Sequence, residues 1–276
     1  MDEFMGIARE VANELKKINE IKAIGIYGSF VRGISDKYSD VDIVCFCSII
    51  PSEKSRKSAL KKLDIKMKKL PGKVSELMDY FNYKNREIGI WYDKLSDISK
   101  ATKRFKKWMP TAIWKLSTEE KKTVIGKVYY SRIIYDTKGI FRKLKKGLPK
   151  ADAKWINWPL ESHLNGTVYS NSPWGEFLQT AIDRKDFIAM SAEFASLAED
   201  YVYCLSLING EYYMMPKWAL KSIRKMKIKP KNCEQRLSEL CRLGNDEKSI
   251  NKKRKILKSL VDDLNEIVKE KGLVFK

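Results

Sequence analysis

Between Ile24 and Cys47 the chain reads apolar strand, Gly28-Ser29, a ten-residue gap, then Asp40-Val41-Asp42 at the start of a second apolar strand. Few folds tolerate that order. Residues 22–27 are a short strand, 29–33 a short helix opening at a serine N-cap, and 41–47 the next strand. Side chains at i and i+2 of a strand share a face, so Asp40 and Asp42 point the same way and lie close together. Two carboxylates so placed repel each other unless cations lie between them. Hard divalent ions suit that position. Two such ions about 3.5–4 Å apart can clamp an in-line phosphoryl displacement. Upstream, Gly28 lets an anion approach the backbone closely. N–H groups at a helix start attract a phosphate, and the Ser29 hydroxyl adds a donor. The competing reading is a serine-capped joint beside a chance acidic pair.

A third carboxylate is expected on an adjacent strand. Strands are read over 74–82 and 87–92, joined by Tyr83-Lys84-Asn85-Arg86. In the second, alternation puts Ile88, Ile90 and Tyr92 on one face and Glu87, Gly89, Trp91 and Asp93 on the other. With the apolar face packed on helices, Glu87 is left towards the cleft, as general base or further metal ligand. Gly89 beside it leaves room for substrate. Asp93 competes for the role, and Asp79 is a weaker competitor.

The remaining pattern is helical. A period near 3.6 covers 3–18, and a basic amphipathic helix is expected over 52–69, stopping before Pro71-Gly72. After Lys94 no strand is expected. Helices are read over 94–106, 117–132, 138–146, 185–208, 234–243 and 249–271, with one more opening at Pro216. The 185–208 helix carries the stripe Phe187, Met190, Phe194, Leu197, Tyr201, Leu205 and Ile208, the core of a bundle. Trp155 to Trp174 reads as a loop. The expected organisation is α+β: a small mixed-sheet catalytic domain over 1–112, then an α-helical bundle domain over 113–276.

The formal net charge of +20 matters for partners, because a basic surface attracts polyanions. From Tyr212 to Cys233 there are seven Lys or Arg and no acid, and 54–73, 100–115 and 248–258 are also basic. The single histidine, His163, disfavours a Ser-His-Asp triad or a multi-histidine metal site, and a structural role is expected for it. The five cysteines lack metal-binding spacing and fit a reducing, cytoplasmic setting. No apolar run reaches the roughly 18 residues of a membrane span. No Gly-x-Gly-x-x-Gly follows a strand, which excludes a dinucleotide-binding dehydrogenase.

Gly28-Ser29, the ten-residue gap, Asp40-x-Asp42 and a later strand acid resemble the nucleotidyltransferase superfamily related to DNA polymerase beta. A fainter likeness to aminoglycoside and lincosamide nucleotidyltransferases lies in Tyr130 to Gly139, in Leu207 to Tyr213 and in Pro216-Lys217-Trp218. The resemblance implies that Gly28 and Ser29 bind a triphosphate, with Arg32 beside them and Lys217 reaching it from the second domain. It implies Asp40, Asp42 and Glu87 as catalytic residues and ligands of Mg²⁺ or Mn²⁺, and ATP as the first NTP to consider. Tyr212 and Tyr213 line an acceptor pocket or simply pack. The implied reaction moves an NMP to a hydroxyl of a small-molecule acceptor. RNA or tRNA is the alternative acceptor, and an inactive nucleotide- or RNA-binding module the non-enzymatic alternative.

Overall fold

A computed structural model describes residues 2–63, 65, 67–70, 74–109, 115–170, 172–213 and 216–273. The chain divides into two compact units, Met1–Pro149 and Lys150–Lys276. The boundary expected between 112 and 113 lies outside the described residues.

The first unit is built on a five-stranded mixed sheet in the order β3-β4-β2-β1-β5. Helix α1 (Asp2–Leu15) precedes β1 (Ile21–Tyr27) and β2 (Val41–Cys47), which pair antiparallel. Helix α2 (Glu53–Leu60) follows, then β3 (Met78–Tyr83) and β4 (Arg86–Lys94). Lys84 and Asn85, both at positive φ, make the tight hairpin turn between them. β4 runs parallel to β2, with Asp42 opposite Gly89.

Period-2 alternation explains the two faces. Val41, Ile43, Cys45, Ile88, Ile90 and Tyr92 pack with α1 into one core. Val44 and Phe46 belong to a second core with Ile98 of α3 (Leu95–Trp108), Val128 and Phe141. Asp42, two residues before Val44, belongs by alternation to that second face.

In this unit four expected elements differ. The 29–33 helix is a turn: Gly28 (φ +83°) and Gly33 (φ +64°) bracket it, leaving no room for a helix. Ile34 N–H donates to the Ser29 carbonyl at 3.0 Å, closing the turn. The 52–69 helix ends at Leu60 and a 3₁₀ turn, Lys61–Leu63. Beyond it Met67 bridges Phe81 and Lys68 N–H donates to the Tyr80 carbonyl, so the chain runs beside β3. Residues Val74–Leu77 form one helical turn rather than a strand. A fifth strand, β5 (Arg132–Asp136), also exists where a helix end was expected. As a short, half-buried edge strand it carries little apolar alternation. Before it, α4 (Thr118–Lys121) widens into π-helical turns over Lys122–Tyr129, and α5 (Ile140–Lys145) follows.

The second unit is helical. The stretch expected as a loop contains π-helical turns over Trp158–Asn165 and the start of α6 (Pro173–Asp183). Helix α7 (Phe187–Ile208) packs on the π-helical segment, α6, α8 (Ala219–Lys225) and α9 (Cys233–Arg242), and α9 packs on α10 (Glu247–Glu270). Its stripe is buried from Met190 to Ile208, whereas Phe187 at its first turn is exposed. Gly210 at φ +73° ends the helix. The architecture is α+β, a mixed-sheet unit followed by a helical region.

Candidate active site

Asp42 sits between two glycines on the sheet. It faces Tyr27, the residue before Gly28, across one strand pair and Gly89 across the other. A Cβ built on Gly28 would lie 2.2 Å from Asp42 Oδ2, and one on Gly89 would lie 3.7 Å from Oδ1. At φ +83° Gly28 also takes a conformation that L side chains rarely adopt. The expected closeness of the turn to the acid is therefore a geometric fact: the turn passes over the Asp42 carboxylate where only hydrogen fits.

The turn is anchored from both sides. Phe30 stacks on Phe4 of α1 with centroids 5.1 Å apart, and the Arg32 guanidinium lies 5.4 Å from the centre of the Tyr130 ring. Ser29 is buried, and its hydroxyl has no hydrogen-bond partner among the described residues. A buried donor left unsatisfied costs roughly 1–3 kcal/mol. Such a group in a tight turn beside an acid is what an absent oxygen-rich ligand would satisfy. Downstream, Asp36 accepts from Tyr38 N–H at 3.0 Å and from the Ser39 hydroxyl at 3.1 Å, a turn that shapes the approach to Asp40.

The face that alternation assigns to Glu87 is the one observed, since Ile88, Ile90 and Tyr92 are in the opposite core. Glu87 accepts a hydrogen bond from Lys68 Nζ at 2.7 Å. The Lys68 bond, then a bond from the Tyr80 hydroxyl, hold its carboxyl below the usual range. Burial, with Glu87 next, pushes the Tyr80 phenol up to about 12, and Asp40 and Asp42 add to the same field. Burial and the charges of Asp42, Asp93 and Asp40 raise the Tyr27 phenol as well. Tyr27 and Tyr80 thus both feel Asp40 and Asp42. No sequence signal singled out Tyr80 or Lys68; Lys68 arrives because the 52–69 segment stops being helical.

The competing acids have other partners. Asp93 is paired with Lys127 at 2.8 Å, and that ammonium also lies over the Trp91 ring. Asp79 is buried against Arg56, at 3.0 and 3.2 Å, and takes the Tyr92 hydroxyl at 2.8 Å. The Arg56–Asp79 pair is buried and the Lys127–Asp93 pair largely so, whereas the Lys68–Glu87 pair is exposed. Among the described residues no three His, Cys, Asp or Glu side chains gather into a metal cage. Asp40 and Asp42 fit a lighter arrangement. Mg²⁺ keeps several waters and is bound through one or two carboxylates plus substrate phosphates. The donor set here, hard oxygens beside a glycine turn, matches that chemistry.

In the second unit His163 lies in the π-helical segment, with Nδ1 2.6 Å from Asp200 and Nε2 2.9 Å from Glu193. Burial opposes its charge, yet the two carboxylates raise it to about 9. This is a buried ion bridge, as a structural histidine requires. Lys217 is exposed in the 3₁₀ turn Pro216–Trp218. Tyr212 is buried and stacks on Trp155, 6.0 Å between centroids, so it packs rather than lines an open pocket.

The family model for the nucleotidyltransferase domain matches residues 8–135. Residues 8–135 are thus a nucleotidyltransferase domain by similarity to that family. The matched span contains the glycine turn, Asp40, Asp42, Glu87 and all but the last residue of β5. A nucleotidyltransferase-like protein from Exiguobacterium sibiricum is 11% identical, with 98% of this chain and 76% of that chain covered and a TM-score of 0.40. A CCA-adding enzyme in complex with ATP is 14% identical, with 98% and 71% covered and a TM-score of 0.33. At those scores the two likenesses add nothing to the assignment. A search of curated protein sequences gives no match.

Proposed function

We propose that this chain is a metal-dependent nucleotidyltransferase that moves an NMP from an NTP to a hydroxyl and releases pyrophosphate. The observation that carries the reading is the Asp42 carboxylate packed under Gly28, next to a buried Ser29 hydroxyl that has no hydrogen-bond partner among the described residues. Backbone N–H groups and the Ser29 hydroxyl of the turn bind the triphosphate. Asp40 and Asp42 hold Mg²⁺ or Mn²⁺ on it. A divalent ion held there would supply charge neutralisation for the phosphoryl transfer. Glu87, kept ionised by Lys68 and Tyr80, takes the proton from the acceptor hydroxyl; the expected third metal ligand is not assigned to it, because among the described residues no three acids gather. Arg32 steadies the turn through Tyr130. ATP is the donor to offer first. No helix among the described residues is long and apolar enough to cross a membrane, which accords with the cytoplasmic setting proposed here.

The test is to incubate the protein with each α-labelled NTP and Mg²⁺, offering a small-molecule extract and total RNA separately. Label should move to one acceptor and stop when a chelator is added. Asp40→Asn and Asp42→Asn should abolish it. Retention of more than about a tenth of the rate by either variant contradicts a metal role, because a lost ligand costs several kcal/mol of transition-state stabilisation. No label on any acceptor would favour the binding-module alternative.

A further inference from the structure

Beside the glycine turn, on the β5 side of β1, lies a cavity of about 530 Å³ with a basic lining. Its apolar wall comes from Phe30, Tyr130 and Phe141, and its charge from Arg132, Arg142 and Lys145. Among the described residues no Asp or Glu lines it. Arg142 approaches Asp136 at 3.5 Å, but its side chain is 82% exposed, and the Asp136 carboxylate is already occupied by the Phe141 and Arg142 amides that it caps. Among the described residues Lys145 donates to the Ser131 carbonyl, a neutral partner, at 3.2 Å. The cations are therefore held at one place with little protein charge to answer them.

We infer that this cavity is a phosphate-backbone subsite for a single-stranded nucleic acid, the acceptor of the transfer. The inference deepens the nucleotidyl-transfer reading and rests on it. Three features favour a polymer over a lone phosphate. First, the positive charge continues past the cavity: Thr137 to Pro149 holds five Lys or Arg and no acid, and Lys106 reaches the Lys146 carbonyl at 3.2 Å. Second, Tyr130 with the Arg32 guanidinium against its ring offers the aromatic-plus-cation surface on which bases stack. Third, β5 and the Asp42 strand flank β1 on opposite sides, roughly 10 Å apart at the usual strand spacing. Phe141 belongs to the core on the face that Asp42 shares. One extended strand can touch both places.

The experiment measures binding of a fluorescein-labelled single-stranded RNA of about 12 nucleotides, within the span such sites cover, to the full chain across a salt series. The Arg132→Ala/Arg142→Ala/Lys145→Ala variant should bind at least about tenfold more weakly near 0.1 M salt, and its slope of log affinity against log salt should be shallower by about 2, the counterion release of three phosphate contacts. Arg142→Ala alone, at an exposed side chain that the fold does not need, should remove about a third of that slope change. A control variant, Lys248→Ala/Lys255→Ala/Lys269→Ala, should stay close to wild type. Binding of a fluorescent ATP analogue should be unchanged in all three variants. Equal losses in the control overturn the inference in favour of diffuse attraction, and loss of the ATP analogue assigns the cavity to the donor nucleotide. Wild type that binds no RNA at low salt also overturns it, as does a tight response to inorganic phosphate alone. Asp42→Asn separates the two readings: it should keep RNA binding and lose transfer. If wild type transfers nothing while RNA binding still follows the cavity, the catalytic reading fails and the subsite remains.

Discussion

Substituting Gly28 with alanine tests the geometry most directly. The new Cβ would sit 2.2 Å from Asp42 Oδ2, whereas ordinary contact begins near 3.4 Å, so the carboxylate must retreat by about 1.2 Å. The residue would also be held at φ +83°, and a left-handed conformation costs an L residue roughly 1–2 kcal/mol. For a domain of this size that lowers the melting temperature by roughly 2–8 °C, and the fold survives. The chemistry should suffer more. A misplacement near 1 Å costs about a hundredfold when reacting groups must be aligned, equivalent to roughly 2.7 kcal/mol of barrier. The assay is pyrophosphate release at saturating NTP, paired with thermal unfolding monitored by circular dichroism. Gly89→Ala is the control, since its Cβ meets the flexible Met78 tip at 3.1 Å and stays 3.7 Å from Asp42. A folded Gly28→Ala protein within about threefold of wild type would refute the claim that catalysis needs Asp42 where it stands, because so small a change is under 1 kcal/mol of barrier.

Other predictions concern single groups. Ser29→Ala should leave stability unchanged or raise it by up to about 1 kcal/mol, since it removes a buried hydroxyl without a partner among the described residues, while raising the KM for NTP; a clear loss of stability would show that the hydroxyl is structural. Glu87→Gln should slow transfer about a hundredfold, the scale of a general base, with NTP affinity intact. Asp93→Asn should instead destabilise the first unit by breaking the pair with Lys127; the reverse pattern would exchange the two roles. Stability of the second unit should fall with rising pH. The folded His163 pKa, about 9, lies above the ordinary imidazole value of about 6.5, so its contribution is fully present below about pH 6.5 and lost as pH rises through about 9. His163→Gln should flatten that dependence, and an unchanged pH profile would exclude the ion bridge.

The closeness of Asp42 to the Gly28 turn was legible because a strand–turn–strand order is local, whereas Asp40 lies just before β2, where strand alternation does not fix its face. Strand alternation placed Glu87 opposite Ile88 and Ile90. The 29–33 helix was misjudged because a serine N-cap signal is also local, while the turn is set by two left-handed glycines and by Phe30 stacking on Phe4, a residue far away in sequence. β5 was missed because an edge strand needs alternation on one face only, and here its pairing with β1 defines it. The basic lining of the cavity was missed for a related reason. Arg132, Arg142 and Lys145 are unremarkable in sequence and converge only because β5 and α5 close around the turn.

By itself the sequence determined which atoms are available for chemistry: the acid pair, the glycine-serine bend and the excess of positive charge, all properties of composition and short-range spacing. Only the tertiary structure decided which acid meets which partner. Lys68 claims Glu87, Lys127 claims Asp93 and Arg56 claims Asp79 because each cation is delivered by a different segment packed on the sheet. Long-range packing distributes counter-charges, and it leaves the Lys68–Glu87 pair exposed while burying the Arg56–Asp79 pair.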